Sequence, residues 1–209
     1  FPYTTLFRSE HFSTFDRQIV LVDCLQALHS GPDAMGDLQE TLSQLMRSFH
    51  YGSSNWWRRL FAPRIDKLLF AATKADHLNR VQHPRLTAIT GAMLREARDR
   101  ADFSGARTEA MSIASLRCTT EDVIRQDGED LPAVRGTLMD GRQAAFYPGE
   151  LPANPAELLV PASQGATRWL DGDYAIMDFA PAPNTQRPGD GPPHIRLDSA
   201  AEFLIGDRL

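Results

Sequence analysis

The chain has 209 residues, 42% of them hydrophobic, which suits one moderate domain, or a piece of a larger one, with enough apolar material for a sizeable core. Its formal charge is −5 and no dense Lys/Arg stripe is present, so a nucleic-acid binder that works by neutralising phosphates is not expected. Cys24 and Cys118 sit alone at the ends of apolar runs and read as buried, reduced thiols rather than a disulfide frame or metal site, and no apolar run approaches the ~20 residues of a membrane helix.

In chain order, Phe1-Pro2-Tyr3-Thr4-Thr5-Leu6-Phe7-Arg8-Ser9 resembles the translation of a common sequencing-adapter oligonucleotide. It is expected to be a scar outside the fold, the natural chain beginning upstream. Gln18 to Asp23 is a continuous β-branched run ending on an acid and predicts a central strand. Asp23 has two readings, a magnesium contact through water or a cap on the loop that follows. The 50 positions from Asp23 to Thr73 hold one clear helix, which favours the cap. That helix is expected from Ser30-Gly31-Pro32-Asp33, with Ser30 and Asp33 at capping-box-like spacing and Pro32 in the first turn. Leu38, Leu42, Leu45, Met46 and Phe49 form its apolar stripe. The connector from Tyr51 to Pro63 carries Trp56, Trp57, Arg58 and Arg59, an aromatic and basic cluster suited to a protein or membrane-surface partner, or to packing back on the domain.

The apolar run Leu68 to Ala72 stops on Thr73-Lys74-Ala75-Asp76. Short and unbroken, it predicts a parallel strand buried on both faces, and ligands of such sheets bind beyond the carboxyl ends of the strands. The quartet differs at one position from Asn-Lys-x-Asp, the base-reading motif of GTPases. The Asp76 carboxylate can accept from the ring N–H and exocyclic amine of guanine, a pair adenine lacks, and the Lys74 stem can lie along base and sugar. Thr73 departs from that pattern, because a hydroxyl cannot bridge base and loop as an amide does. His77 and His83 lack a nearby acid or thiol set and are expected in solvent or capping roles. A helix is expected from Pro84, with Leu86, Ile89, Met93 and Ala97 on one face. Ala110 to Cys118 predicts a third buried strand ending in Ala-Ser-Leu-Arg, where Ser115 and Leu116 stand in the place from which a backbone N–H reaches guanine O6. A right-handed crossover puts this loop on the same sheet edge as Asp76. Thr119 to Arg125 is expected to begin a closing helix.

Beyond Asp127, Pro and Gly become frequent. Val134 to Leu138 and Gln143 to Tyr147, joined through Asp140-Gly141, predict a hairpin. Tyr174 to Phe179 resembles another short strand, Ala180 to Pro193 a Pro-rich loop, and Asp198-Ser199 the cap of a final helix stopped by Gly206. The expected fold class is α/β: a partial P-loop NTPase-like parallel sheet, strand-helix-strand-helix-strand, over residues 10–126. A small hairpin- and Pro-rich C-terminal region with a terminal helix follows over residues 127–209.

Phe15 to Leu25, Ile65 to His77, Ile195 to Asp198 and Gly206 to Leu209 resemble the C-terminal half of the YcjX-like proteins, bacterial stress-associated P-loop proteins of Ras-like type. The likeness runs from about Glu10 to Leu209. It implies a cytoplasmic protein of the stress response that binds GTP or GDP with Mg2+ and hydrolyses GTP. It also implies Thr73, Lys74 and Asp76 as the base contacts. No Gly-x-x-x-x-Gly-Lys-Ser/Thr occurs in the 209 residues, so the phosphate cradle and the magnesium ligands are expected outside this chain. By itself the chain should neither hydrolyse GTP nor hold it tightly. A protein- or membrane-interaction module without nucleotide chemistry, and an ATP-binding α/β protein, remain open alternatives.

Overall fold

The computed structural model describes residues 15–48, 65–95, 98, 99, 101, 105–169, 174–181 and 191–209. Three strands, β1 (Arg17–Val22), β2 (Lys67–Ala72) and β3 (Arg107–Ser112), form a parallel sheet in the order β1-β2-β3. The register sets Val22 beside Ala72 and Ala72 beside Ser112, so all three strands end level on one edge. β2 is buried at every position, as its unbroken apolar run requires of a middle strand. β1, expected from its sequence as a second central strand, lies at one end of the three strands among the described residues. Among the described residues only β2 pairs with it, and Ile19 and Leu21 stand 42% and 61% exposed.

The period-2 alternation of β2 divides the core. Leu68, Phe70 and Ala72 face one cluster with Val22, Leu28, Met35, Leu86 and Ile89, while Leu69 and Ala71 face a smaller one with Met111, Ile113 and Ala200. The larger cluster is covered by α1 (Cys24–Ser30), α2 (Pro32–Ser48), α3 (His83–Met93) and α4 (Ala156–Ser163). The smaller is covered by α5 (Leu197–Ile205), whose Leu197, Phe203 and Leu204 pack on it.

Two helices, not one, follow β1. Asp23 starts α1 directly, its Oδ1 accepting the Gln26 N–H at 3.1 Å, so Cys24 lies inside a helix. Ser30 is the last residue of α1 rather than a cap. Gly31, at φ 106°, turns the chain, and Pro32 opens α2 as a first-turn proline should. Of the expected α2 stripe, Leu42 is buried and Leu38 packs on the core, whereas Leu45 is exposed. The Met46 side chain and Phe49 lie outside the described residues, as does Ala97 of the next stripe. α4 was not anticipated; Asn154 Oδ1 accepts the Ala156 N–H at 3.1 Å at its start, and its Leu158 and Ala162 join the main core.

A second, antiparallel sheet holds β4 (Thr119–Gln126), β5 (Glu129–Leu138), β6 (Gln143–Phe146) and β7 (Phe179–Ala180), with β5 pairing the other three. The closing helix expected from Thr119 is therefore a strand. Thr119, Thr120, Val123 and Ile124 favour extended backbone, and Asp127-Gly128, both at positive φ, make the two-residue turn that pairs Gln126 with Glu129. The Asp140-Gly141 hairpin forms as expected, with Gly141 at φ 88° and its N–H donating to Leu138 O at 2.9 Å. Of the expected strand from Tyr174 only Phe179 pairs, against Leu138. β3 starts and stops earlier than its apolar run, and Ala114 instead makes a single bridge to Ile195. Asp198 lies in the first turn of α5, which begins after Arg196 rather than at an Asp-Ser cap, and Gly206 continues into a short 3-10 turn.

Candidate functional site

The level ends of the parallel strands present three polar segments on one edge: Asp23 after β1, Thr73 to Asp76 after β2, and Ile113 to Cys118 after β3. Thr73 is held to β1, its N–H donating to Val22 O at 3.0 Å and its hydroxyl lying 3.5 Å from the same oxygen. Lys74 adopts the left-handed conformation, φ 60° and ψ 31°, which costs a non-glycine residue about 1–2 kcal/mol. Its ammonium meets Asp23 Oδ2 at 2.7 Å. Both Asp23 oxygens are thus engaged, one on the helix cap and one on Lys74, which favours the capping reading of Asp23 over the metal one. Ala75 then donates its N–H to Ile113 O at 3.0 Å, tying the second loop to the third.

Asp76 is 4% exposed. Its Oδ2 accepts the Cys118 N–H at 2.9 Å, and its carbonyl accepts the Thr119 hydroxyl in a short bond. Its carboxylate therefore lies against the flank of the Ser115 to Cys118 turn. Ser115 and Leu116 themselves are exposed, Leu116 at 39%. The structure brings Thr73, Lys74 and Asp76 into one loop and sets that loop against the segment bearing Ser115 and Leu116; no bond joins Asp76 to either of those two side chains among the described contacts.

The C-terminal region braces this edge from below and from the side. Asn79 Nδ2 donates to Ala133 O at 3.4 Å, and the Gln82 side chain bonds both Gly149 O and the Leu151 N–H. Ile195 pairs with Ala114, Arg117 N–H donates to Pro193 O at 2.7 Å, and Arg196 reaches Ser112 O and Oγ at 2.9 and 2.7 Å. The two histidines are not solvent groups. His83 is buried against Leu78 O at 3.2 Å, and burial holds its pKa below the usual histidine value. His77 stacks edge-on with Phe179 at 5.8 Å, and burial lowers it too, against the opposing pull of Asp76. Trp56, Trp57, Arg58 and Arg59, and the adapter-like first nine residues, lie outside the described residues. No helix of the described residues is long and apolar enough to cross a membrane.

Sequence reasoning sets Thr73, Lys74 and Asp76 in the loop after β2, where they lie, but misses Cys118 and Thr119 as the anchors of Asp76, and the pairing of Asp23 with Lys74. The usable signal for the pair was opposite charges one and two positions past the ends of neighbouring strands. Cys118 acts through its main chain, and no side-chain pattern marks that.

Comparison with known proteins concerns the chain as a whole. The model of the YcjX-like family, DUF463, matches residues 3–209. The chain is 46% identical over 205 residues to a protein of Escherichia coli (strain K12) named Ras-like GTPase YcjX, and 37% identical over 205 residues to one of the same name from Shewanella oneidensis. Each alignment covers 97% of this chain, but the chain spans only 42% and 41% of those relatives' lengths. With a match over nearly all of its residues, the chain belongs to the YcjX-like family.

Proposed function

We propose that the chain carries the guanine-recognition edge of a YcjX-like GTP-binding protein. Asp76 selects the base, Lys74 and Thr73 flank it, and the turn at Ser115 and Leu116 offers main-chain donors to the guanine carbonyl. The observation that carries this reading is the joining of the two loops at one sheet edge, Ala75 N–H on Ile113 O and Cys118 N–H on Asp76 Oδ2. A carboxylate has about four lone-pair sites, so one bond to Cys118 leaves capacity for the two guanine donors. At 4% exposure, Asp76 admits a base only when the Ser115 to Cys118 turn shifts outward.

The relatives are named as Ras-like GTPases, which supports GTP or GDP as ligand and Mg2+ as its companion in a longer protein. Asp23 is committed elsewhere and no phosphate-loop sequence occurs among the 209 residues, so the groups that hold phosphate and metal belong to other parts of such a protein. Phosphoryl transfer depends on those groups, and this chain alone is inactive in the proposal. A cytoplasmic role in the stress response accords with the family resemblance.

Replacing Asp76 by Asn in the intact protein that contains this chain is expected to weaken guanine nucleotide by about 1.5–3 kcal/mol, the worth of a hydrogen bond to a charged group. Adenine nucleotide binding should stay as it was. Equilibrium titration with fluorescent GDP and ADP checks this, and equal losses for both nucleotides, or none, would refute the assignment.

A further inference from the structure

Asp23 has a second role that its sequence position does not announce. Its two oxygens point to different structures. Oδ1 holds the Gln26 N–H and so the first turn of α1, while Oδ2 holds the Lys74 ammonium at 2.7 Å. Lys74 is one of three non-glycine residues at positive φ among the described residues. Such a conformation persists where its surroundings over-determine it, and it is common at ligand-binding loops. The surroundings are visible here. Thr73 is tied to Val22 O on one side and Ala75 to Ile113 O on the other, leaving the Lys74 side chain as the free arm of the loop. Asp23 takes that arm. Both groups are near 40% exposed at the edge, so the pair lies open to a ligand rather than sealed in the core.

We infer that Asp23 is a positioning residue for the base site: anchored on α1, it fixes the direction of Lys74 and with it the loop that carries Asp76. This rests on the base-recognition reading above. Asp23 does not itself touch the base. It sets how well the loop is pre-organised, hence affinity for any purine nucleotide, whereas the choice between purines belongs to Asp76. Pre-organisation of this kind lowers the cost of ordering a loop on binding.

The test uses the intact protein that contains this chain, titrated with fluorescent GDP and ADP. Asp23→Asn keeps a side-chain oxygen for the Gln26 N–H, since Asn caps helices as well as Asp, but removes the charge that holds Lys74. It is expected to leave the melting temperature within about 2 °C, to weaken GDP about two- to fivefold, the range of an exposed ion pair, and to leave the ratio of GDP to ADP affinity unchanged. Combined with Lys74→Met it should add nothing beyond Lys74→Met alone, because the two changes remove one interaction. Unaltered GDP affinity in Asp23→Asn, or full additivity in the double variant, would overturn the positioning role while leaving the base reading intact. If the unmodified protein shows no preference for GDP, or Asp76→Asn keeps that preference, the base reading falls and the inference falls with it.

Discussion

Gly136 shows how one missing side chain sets a join in the fold. A Cβ there would lie 2.5 Å from the Phe179 ring, and Phe179 is the residue that brings β7 onto β5 and meets His77 edge-on. Because the ring is held on both sides, it cannot swing aside cheaply. Gly136→Ala is expected to destabilise the chain by about 1–3 kcal/mol, as overpacking generally does, and to release the residues around Phe179. A denaturant melt together with loss of the Phe179 ring contact by NMR checks it; unchanged stability would mean that the ring is less confined than its neighbours suggest. Cys24 illustrates the opposite case, a residue whose burial silences its chemistry. It is fully buried beside Thr90 Oγ1 at 3.3 Å, and burial pushes its thiol up to about 11, which leaves little thiolate at neutral pH.

At the scale of elements, the last turn of the chain acts as a clasp. Arg17 donates to both oxygens of Asp207 at 2.5 and 2.8 Å and to Leu204 O, Lys67 donates to Asp207 Oδ1 at 2.7 Å, and Arg208 closes on Asp16. This clasp ties α5 and the turn after it to the amino-terminal ends of β1 and β2, the edge opposite the candidate site. It also gives the charge of the buried Lys67, whose Nζ lies 5.8 Å from the centre of the Phe203 ring, a partner. Hydrogen bonds from Arg17 and then Lys67 hold the Asp207 carboxyl far below the usual carboxylate range. A depressed folded pKa means that the clasp's contribution is fully present above the unfolded value of about 3.9, and is lost as pH falls from there towards the folded one. Asp207→Asn should therefore be less stable than the parent at pH 7, with the difference shrinking steadily below about pH 4. Chemical denaturation at several pH values checks this, and a gap that stays constant on acidification would show that the ion pairs contribute nothing.

At the scale of the whole molecule, the parallel sheet has, among the described residues, one covered edge and one open edge. β3 is bordered by the strap at Ile195 and by α5. β1 meets no strand on its outer edge among the described residues, and Ile19 and Leu21 project apolar surface next to it. Exposed edges of this kind invite pairing between chains. Leu21→Lys is expected to lower concentration-dependent association in sedimentation velocity while changing stability by no more than about 0.5 kcal/mol, the usual scale for an exposed site. Association that is unaffected would place the self-contact on another face.

Where local chemistry decides, the amino-acid sequence was sufficient. The unbroken run of Leu68 to Ala72 can satisfy itself only between two packed layers, Asp140-Gly141 matches the turn it makes, and the polar quartet ending at Asp76 marks a strand end by composition alone. The order of elements and the edge on which Thr73, Lys74 and Asp76 lie follow from these signals and from crossover handedness. Tertiary structure decided the rest. Thr119 to Gln126 becomes a strand because β5 is there to pair with it, α4 exists because α2 and the core cover its apolar face, and Ile19 and Leu21 of β1 are exposed because little among the described residues covers them on the face they share with Leu69 and Ala71. The partnership of Asp23 with Lys74 and the burial of Asp76 under Cys118 belong to the same class. They depend on the register of strands whose paired residues are 50 apart (Arg17 and Lys67) and 40 apart (Lys67 and Arg107) in sequence, and register is set by packing across the whole sheet rather than by any window of residues.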